Sequence, residues 1–171
     1  MDHNIILKIQ EITLRPVGPN DLEKMRRWRN SASARSFFLN SEVISEEQQK
    51  AWFESYLIRP GDYMFIIQFN NVDVGTVALY HVDYALGTSE FGRLLLAEDI
   101  AKGKKIGEKV TKAMVDFAMN DLNLKEVILE VFTSNLKAVH IYEKVGFKII
   151  DKYIIRDREL YKMIRLGEQH A

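Results

Sequence analysis

The sequence predicts one α/β domain, in the broader α+β sense, with a mixed central sheet flanked by helices. Short β-rich runs alternate with segments of helical spacing along the 171 residues, a pattern typical of such folds. Past the middle, Ser89–Val110 combines an apolar strand, a glycine loop and a helix. No repeat, linker or low-complexity segment divides the chain, whose length suits a single core. The predicted domain therefore spans residues 1–171.

The N-terminal third is predicted to begin with a strand and a helix. Apolar and polar residues alternate over Glu11–Val17, which is typical of a half-buried strand. Asn20 or Asp21 can cap a helix that ends near Asn30. The next stretch, Ser31–Asn40, is rich in small residues. We expect it to be irregular or a short helix.

A second helix and a series of strands follow. Ser45–Gln48 reads S-E-E-Q, a capping box that predicts an amphipathic helix. This helix should end before Pro60, which is followed by glycine. Three strands are then predicted: Tyr63–Phe69, Val72–Val82 and Ser89–Leu96. Asn70-Asn71 joins the first two runs and indicates a hairpin.

A glycine loop connects the last of these strands to a helix. Gly103 and Gly107 lie in the loop, and apolar residues continue at helical spacing: Ile106, Val110, Ala113, Met114 and Phe117. Such a junction directs backbone N–H groups and the positive end of a helix dipole to one place, which suits phosphate or pyrophosphate. Glycine also serves ordinary turns that need positive φ. The junction alone leaves both interpretations open.

The C-terminal part is predicted to contain a strand, a helix and a hairpin. Leu124–Phe132 is an apolar strand. Asn135 can cap a helix that Gly146 ends at the position after its last turn. Phe147–Ile155 and Leu160–Leu166 form the final hairpin.

Composition excludes several classes of protein. Lys+Arg and Asp+Glu both count 24, so net charge gives no reason to expect nucleic acid or a membrane as partner. The chain has no cysteine, and its 4 histidines lack metal-ligand spacing, so neither disulfides nor a metal site are expected. Residues 1–12 lack a signal-peptide pattern, and no apolar run approaches the ~18 residues that span a bilayer. We expect a cytoplasmic protein and leave a homodimer open.

A second motif lies beyond the glycine loop. Asn135–Phe147 supplies Asn, Ala, Tyr and Gly-Phe at N-x-x-A-x-x-x-Y-x-x-x-G-F spacing. Together the two stretches resemble the GNAT superfamily of acyl-CoA-dependent N-acyltransferases. The predicted order β-α-α-β-β-β-α-β-α-β-β matches that fold along nearly its whole length. The resemblance implies acetyl-CoA as co-substrate and a splayed strand pair that receives it.

The resemblance places the coenzyme A pyrophosphate on residues 102–107, where the family pattern is R/Q-x-x-G-x-G/A. This chain departs from the pattern twice: Lys102 replaces Arg or Gln, and Lys105 replaces the first Gly of G-x-G. Glycine allows the backbone to approach phosphate more closely than lysine does. The charge of the Lys105 ammonium could offset the loss of that close approach. The implied cofactor-binding residues are Leu95, Leu96, Lys102, Gly103, Lys104, Lys105, Ile106, Gly107 and Asn135.

Acyl transfer to an amine requires a neutral amine and a proton for the departing sulfur. The resemblance implies that Tyr142 is the acid, and a phenol with a pKa of about 10 is protonated at neutral pH. A core aromatic is the alternative for Tyr142, and an ordinary N-cap is an equally good role for Asn135. Glu90 is the candidate base, because it begins the strand that leads to the loop. A solvated carboxylate, with water relaying the proton, is its alternative.

The acceptor is indicated by the N-terminal third. Arg26–Asn30, Arg35, Leu39–Ser45 and Trp52 resemble one GNAT branch, the pseudaminic-acid-pathway N-acetyltransferases that act on UDP-4-amino-4,6-dideoxy sugars. Arg29, Asn30 and Arg35 are the implied substrate-binding residues, since arginine suits a diphosphate. Trp28 and Trp52 are expected to be core anchors.

Two alternatives to a UDP-amino sugar are open. Ribosomal-protein and polyamine acetyltransferases share the L-R-P opening, so their acceptors are one alternative. A non-catalytic CoA-binding module is the other, because Lys105 stands where the family has glycine. A polyamine site would need a carboxylate-lined cleft, whereas a UDP-sugar site would need Arg and Lys.

Overall fold

The computed structural model describes residues 3–35, 38–40 and 42–168. Its strands are β1 Leu7–Ile9, β2 Ile12–Pro16, β3 Tyr63–Phe69, β4 Val72–Asp83, β5 Thr88–Leu96, β6 Glu126–Phe132, β7 Lys148–Ile155 and β8 Arg158–Leu166. Its α-helices are α1 Leu22–Asn30, α2 Ala32–Arg35, α3 Glu46–Ile58, α4 Ile106–Asp116 and α5 Leu136–Val145. Short 3-10 turns cover Pro19–Asp21 and Asp99–Ala101, and a π-helical turn, Phe117–Asp121, extends α4.

The strands form one mixed 8-stranded sheet in the order β1-β2-β3-β4-β5-β6-β8-β7. β5 and β6 are parallel, whereas the β1–β2, β2–β3, β6–β8 and β7–β8 pairs are antiparallel. A parallel pair needs a crossover connection, which here contains α4. The predicted fold class, a mixed sheet flanked by helices, is confirmed.

Residue contacts divide the chain into two compact units. The first unit comprises the chain up to Ala78 together with Arg93–Lys104, and the second comprises Leu79–Gly92 and the chain from Lys105 onward. Each has its own fully buried apolar side chains: Ile12, Leu14, Ile66, Ile67, Val74 and Val77 in the first, and Leu79, Ile106, Met114, Leu129 and Met163 in the second. β4 and β5 contribute residues to both units.

The N-terminal strand β1 is absent from the predicted order, which was wrong at this point. Leu7–Ile9 pairs antiparallel with β2 through a tight turn in which Gln10 has φ 53°. Lys8 interrupts this three-residue strand, so it is too short for the alternation that predicts strands. Leu7–Ile9 is a strand because it pairs with β2.

Local signals at the ends of the elements are confirmed. The Ser45 hydroxyl accepts from the Gln48 N–H at 3.1 Å, and the Gln48 side chain accepts from the Ser45 N–H at 2.9 Å. Asn70 and Asn71 have φ of 49° and 67°, as a tight hairpin between twisted strands requires. Gly146, with φ 103°, ends α5.

Two predictions in the N-terminal third have mixed outcomes. Asp21 is the N-cap residue of α1, as predicted, but its carboxylate accepts from Arg15 and from the Gly18 N–H and not from the helix. α2 is the short helix expected within Ser31–Asn40. Ser36 and Phe37 of that stretch, and Ser41 of the Leu39–Ser45 segment, lie outside the described residues. Among the described helices, none is both long and apolar enough to cross a membrane.

Candidate active site

The strands β5 and β6 run side by side only at their beginnings. Their parallel register joins Thr88 to Glu126, Ser89 to Val127 and Glu90 to Ile128. β5 runs on to Leu96 and β6 to Phe132, yet no further pair joins them in the described part of the chain. This is the splayed pair that the sequence resemblance implied.

An irregularity interrupts β5 at Arg93, which has φ 53°. In the first unit, the Thr76 hydroxyl donates to the Arg93 carbonyl at 2.8 Å, and the guanidinium donates to the Asp62 carboxylate at 2.9 Å. Asp62 is 1% exposed. Left-handed residues other than glycine are uncommon and cluster at functional sites. Sequence reasoning missed these residues because no local pattern marks the irregularity.

The Tyr142 ring is buried in the second unit. It packs edge-on against Phe91, with centroids 5.7 Å apart, and against Phe147 at 6.0 Å. Only 8% of the residue is exposed. Burial, together with the nearby Tyr80, raises the pKa of the Tyr142 hydroxyl to about 12. Tyr142 is thus a core aromatic that retains its proton at neutral pH, and both predicted roles fit this position.

Tyr80 was not singled out from the sequence. A Cβ atom on Gly92 would lie 2.5 Å from the Tyr80 hydroxyl oxygen. The missing side chain at Gly92 therefore leaves space for that hydroxyl. Tyr80 is close enough to Tyr142 to affect its pKa, so Gly92 indirectly shapes the surroundings of the candidate acid.

Glu90, the candidate base, has a partner on β4. His81 Nδ1 lies 3.1 Å from Glu90 Oε1, and the two side chains are 70% and 27% exposed respectively. His81 has φ 48°. The sequence showed only that His81 is not a metal ligand by spacing, because the hairpin between β4 and β5 is what brings it to Glu90.

Asn135 is the N-cap residue of α5. Its side-chain oxygen accepts from the Ala138 N–H at 3.3 Å, which confirms the capping role. A contact with the pantetheine arm stays a prediction.

The loop at residues 102–107 contains two left-handed residues. Gly103 has φ 72°, and a Cβ there would meet nothing within 4 Å. Lys105 has φ 57° and is the N-cap residue of α4. Glycine adopts this conformation freely, whereas an L-residue is strained by roughly 1–2 kcal/mol. This is a physical reason for the family glycine that Lys105 replaces.

The loop can hold an anion through backbone and charge. The first N–H groups of α4, from Ile106 and Gly107, have no partner within the helix because of their position. Lys102, Lys104 and Lys105 are exposed, and Lys102 forms a surface ion pair with Asp99 at 2.7 Å. These features suit the coenzyme A pyrophosphate.

The first unit contains a cavity of roughly 520 Å³. Apolar side chains, which include Trp52 and Leu95, form much of its wall, and the polar lining residues are Arg29, Asn40, Glu42, Gln48, Gln49, Thr76 and Arg93. Trp52 also stacks on Tyr56 with centroids 5.2 Å apart. Trp28 is buried and donates to Glu98 at 2.9 Å. Trp28 is thus a core anchor as predicted, whereas Trp52 combines packing with a place in the cavity wall.

The predicted substrate-binding residues differ in their contacts. The Arg29 guanidinium lies over the Phe38 ring at 3.9 Å and donates to the Asn40 carbonyl. Burial, and then the Arg35 charge, lower the pKa of Arg29. Arg29 Nη1 and Arg35 Nε are buried and have no hydrogen-bond partner among the described residues. Asn30, in contrast, has its side chain engaged with the Ile44 N–H and carbonyl, both at 2.8 Å.

Comparison with known proteins identifies the family. The model of the acetyltransferase (GNAT) domain matches residues 11–148. The chain belongs to the GNAT family. This GNAT protein is 24% identical over 138 residues to spermidine N(1)-acetyltransferase of Escherichia coli strain K12, which covers 81% of this chain and 73% of the relative. It is 25% identical over 151 residues to an aminoglycoside N(6′)-acetyltransferase type 1 of Klebsiella pneumoniae, covering 80% and 74%.

Its fold is similar to that of a solved GNAT structure, the spermidine N-acetyltransferase from Vibrio cholerae in complex with CoA and spermine. The TM-score is 0.84 at 22% identity, with 93% of this chain and 97% of the other covered. The protein is an acetyl-CoA-dependent N-acetyltransferase. These relatives give no support to the expected UDP-amino sugar; they agree better with the polyamine alternative.

Proposed function

We propose that this GNAT enzyme transfers the acetyl group of acetyl-CoA to a primary amine of a polyamine. The observation that carries the proposal is its similarity to spermidine acetyltransferases over most of both chains. The sequence alone favoured a UDP-amino sugar as acceptor and left a polyamine as the alternative. The similarity to spermidine acetyltransferases supports the polyamine instead.

Acetyl-CoA supplies an acetyl thioester, whose sulfur leaves as a thiolate when the amine attacks. The loop at residues 102–107 would hold the pyrophosphate through N–H groups at the start of α4 and through its lysines. Leu95, Leu96 and Asn135 are the further candidates for contact with the cofactor. The open space at Gly103 fits a backbone that a ligand approaches closely.

Tyr142 is proposed to donate the proton to the thiolate, which leaves as the thiol, and the second proton that the attacking nitrogen loses restores the Tyr142 hydroxyl. With a pKa of about 12, its hydroxyl remains protonated at any pH at which the amine reacts. Phe91 and Phe147 pack against the Tyr142 ring and already restrict its orientation. Little further freedom is therefore lost when the hydroxyl donates its proton. These properties suit a general acid.

Glu90 is proposed to take the proton of the acceptor ammonium. A free amine is required for attack, and most primary amines are protonated at neutral pH. Glu90 is partly exposed and paired with His81, so it can exchange protons with a neighbouring group as well as with solvent.

The cavity in the first unit is proposed to bind the acceptor. Glu42 is a carboxylate in its wall and would pair with a distant ammonium of the polyamine. The Arg93 charge is balanced by Asp62. Arg29 is cationic and would repel an ammonium group of a polyamine that lay close to it. The polyamine would therefore bind with its ammonium groups away from Arg29.

A nucleotide-activated amino sugar is the second candidate acceptor, and one observation favours it. Arg29 and Arg35 each have a buried guanidinium nitrogen that finds no hydrogen-bond partner in the part of the chain that the structure describes. Buried unpaired donors are costly, and a diphosphate would satisfy them with charge-assisted hydrogen bonds.

Thiol release from acetyl-CoA tests the proposal with a panel of amines. The panel contains spermidine, spermine, an aminoglycoside, a UDP-4-amino-4,6-dideoxy sugar and a peptide with a free N-terminus. We expect the largest kcat/KM for a polyamine. A larger kcat/KM for the UDP-amino sugar would instead establish the second candidate, and the absence of thiol release with every amine would contradict both.

A further inference from the structure

The strongest feature outside the predicted site is the imidazole beside Glu90. His81 Nδ1 is 3.1 Å from Glu90 Oε1, on neighbouring strands of the same hairpin. The imidazole is 70% exposed, whereas the carboxylate is 27% exposed. The pair therefore joins a partly enclosed carboxylate to a group in free contact with solvent.

The backbone holds His81 in an unusual conformation. Its φ is 48° within β4, where extended conformation is the rule. A left-handed residue interrupts the alternation of side chains along a strand. The Tyr80 ring also packs edge-on against the imidazole, with centroids 4.9 Å apart. Backbone and neighbour together hold the ring next to Glu90.

The other titratable groups near this pair come from β6 and β7. Burial, a hydrogen bond to Glu130 and the charges of Glu130, Asp151 and Glu90 raise the pKa of Tyr153. Glu90 thus shares its surroundings with carboxylates and with a phenol that keeps its proton. An imidazole has two ring nitrogens, so it can accept a proton at one and donate a proton from the other.

We propose that His81 is a proton relay between Glu90 and solvent, an inference that rests on Glu90 being the base of the proposed function. Glu90 first takes one proton from the acceptor ammonium, which leaves the neutral amine. The protonated Glu90 carboxyl then donates to Nδ1 of His81 in its Nε2–H tautomer; its proton moves to Nδ1, and Nε2–H releases a proton to water. The imidazole returns to its starting tautomer by proton exchange with water, so each turnover moves one proton from acceptor to solvent.

The test compares the parent enzyme with His81→Asn, because asparagine tolerates left-handed backbone better than most residues. We expect kcat to fall by roughly tenfold or more in dilute buffer, since general acid–base groups contribute about 10²–10⁴ and water replaces part of a relay. Added imidazole should restore kcat of the variant in proportion to its concentration. The KM for acetyl-CoA should not change.

His140→Asn is the matched control, because His140 is an exposed histidine on α5. It should keep the parent kcat and show no dependence on imidazole. A solvent isotope effect on kcat of the parent provides a second measurement that needs no variant. We expect an effect that diminishes as imidazole is added in excess.

Different outcomes identify different errors. If His81→Asn keeps its kcat, pH profile and buffer independence while Glu90→Gln is impaired, the relay is wrong and the base remains. If Glu90→Gln is also unimpaired, the base assignment is wrong although acetyl transfer stands. If no amine releases thiol from acetyl-CoA, the proposed function itself fails.

Discussion

The carbonyl oxygen of Leu95 lies only 1.8 Å from the place that a Cβ atom on Gly75 would occupy. The contact joins β4 and β5 within the first unit, next to the end of β5 that carries two candidate cofactor residues. Because the obstacle is backbone, no side-chain movement relieves it. Gly75 is therefore required for the close approach of the two strands.

Gly75→Ala should destabilise the protein by about 3 kcal/mol or more, since overpacking costs about 1–3 kcal/mol even where side chains can yield. Chemical denaturation followed by circular dichroism measures the change. The matched control is Gly18→Ala, where the nearest atom to a Cβ is 3.7 Å away and φ is −119°. Equal stability of the two variants would contradict the strand geometry described for β4 and β5.

Tyr142→Phe should lower kcat by roughly 10²-fold, because it removes the acidic proton and keeps the ring that packs on Phe91. The KM for acetyl-CoA and the melting temperature should change little. The parent enzyme should also show no alkaline loss of activity due to Tyr142 until the pH approaches its pKa of about 12. Steady-state kinetics as a function of pH provide these values.

Tyr84→Phe is the control, because Tyr84 is an exposed tyrosine in the turn after β4. It should retain the parent kcat. If Tyr142→Phe does so as well, Tyr142 is only a core residue.

Lys105→Gly should raise the free energy of unfolding by about 0.5–1 kcal/mol, because glycine relieves the left-handed strain but makes the unfolded chain more flexible. Urea denaturation without acetyl-CoA measures it. Lys104→Gly is the control at a neighbouring position that lacks positive φ, and it should be less stable than the parent. A loss of stability in Lys105→Gly would contradict the left-handed conformation.

Lys105→Ala separates charge from conformation, since it keeps the strain and removes the ammonium. We expect a KM for acetyl-CoA that is roughly threefold to tenfold higher than that of the parent, because a charge-assisted contact is lost. The difference should shrink at high salt. Identical values at low salt would remove Lys105 from the pyrophosphate site.

Paired variants in the cavity of the first unit distinguish the two acceptor classes. If a polyamine is the acceptor, Glu42→Gln should raise its KM by roughly tenfold, and Arg29→Gln should leave it unchanged or lower it. A UDP-amino sugar would reverse this order. Equal effects of both variants on every acceptor would place acceptor binding elsewhere.

The ion-pair cluster of Arg15, Asp21, Asp73 and Lys24 predicts a pH dependence of stability. Arg15 contacts Asp21 at 2.7 Å and Asp73 at 2.9 Å, and Lys24 contacts Asp73 at 2.8 Å. Burial opposes ionisation of both carboxyls, but the hydrogen bonds from these partners outweigh it and lower their pKa values. In the folded protein the pKa values of Asp21 and Asp73 lie below the usual value for aspartate, which is about 4. The ion pairs therefore stabilise the fold above about pH 4, and this stabilisation is lost as the pH falls through the two folded-state pKa values.

Asp73→Asn should therefore be less stable than the parent at pH 7, by about 1–3 kcal/mol. The difference should shrink below about pH 4. Denaturation curves at several pH values measure it. Asp116→Asn is the control on the surface, where the carboxylate pairs with exposed Lys112 at 3.1 Å. A difference that is constant with pH would show that the substitution acts through packing instead of charge.

The sequence by itself determined the order and type of most elements, the ends of several helices and the position of the glycine loop. These features depend on interactions within a few residues. The Ser45 cap reaches Gln48, the Asn135 cap reaches Ala138, and the left-handed Gly146 ends the helix that contains Tyr142. Such local interactions leave a pattern at short spacing, so sequence reasoning can find them.

Only the tertiary structure decided which distant residues meet. It created β1 by pairing with β2, brought His81 to Glu90 across the hairpin, and placed Arg93 on Asp62. These contacts depend on strand register and on left-handed residues within strands, for which the flanking amino acids carry no consistent signal. The cavity that holds Arg29 and Glu42 likewise collects residues from separate elements. In the proposed function the acceptor is recognised by their combined shape and charge, which no single stretch of sequence contains, whereas the motifs that indicate acetyl transfer are continuous in the chain.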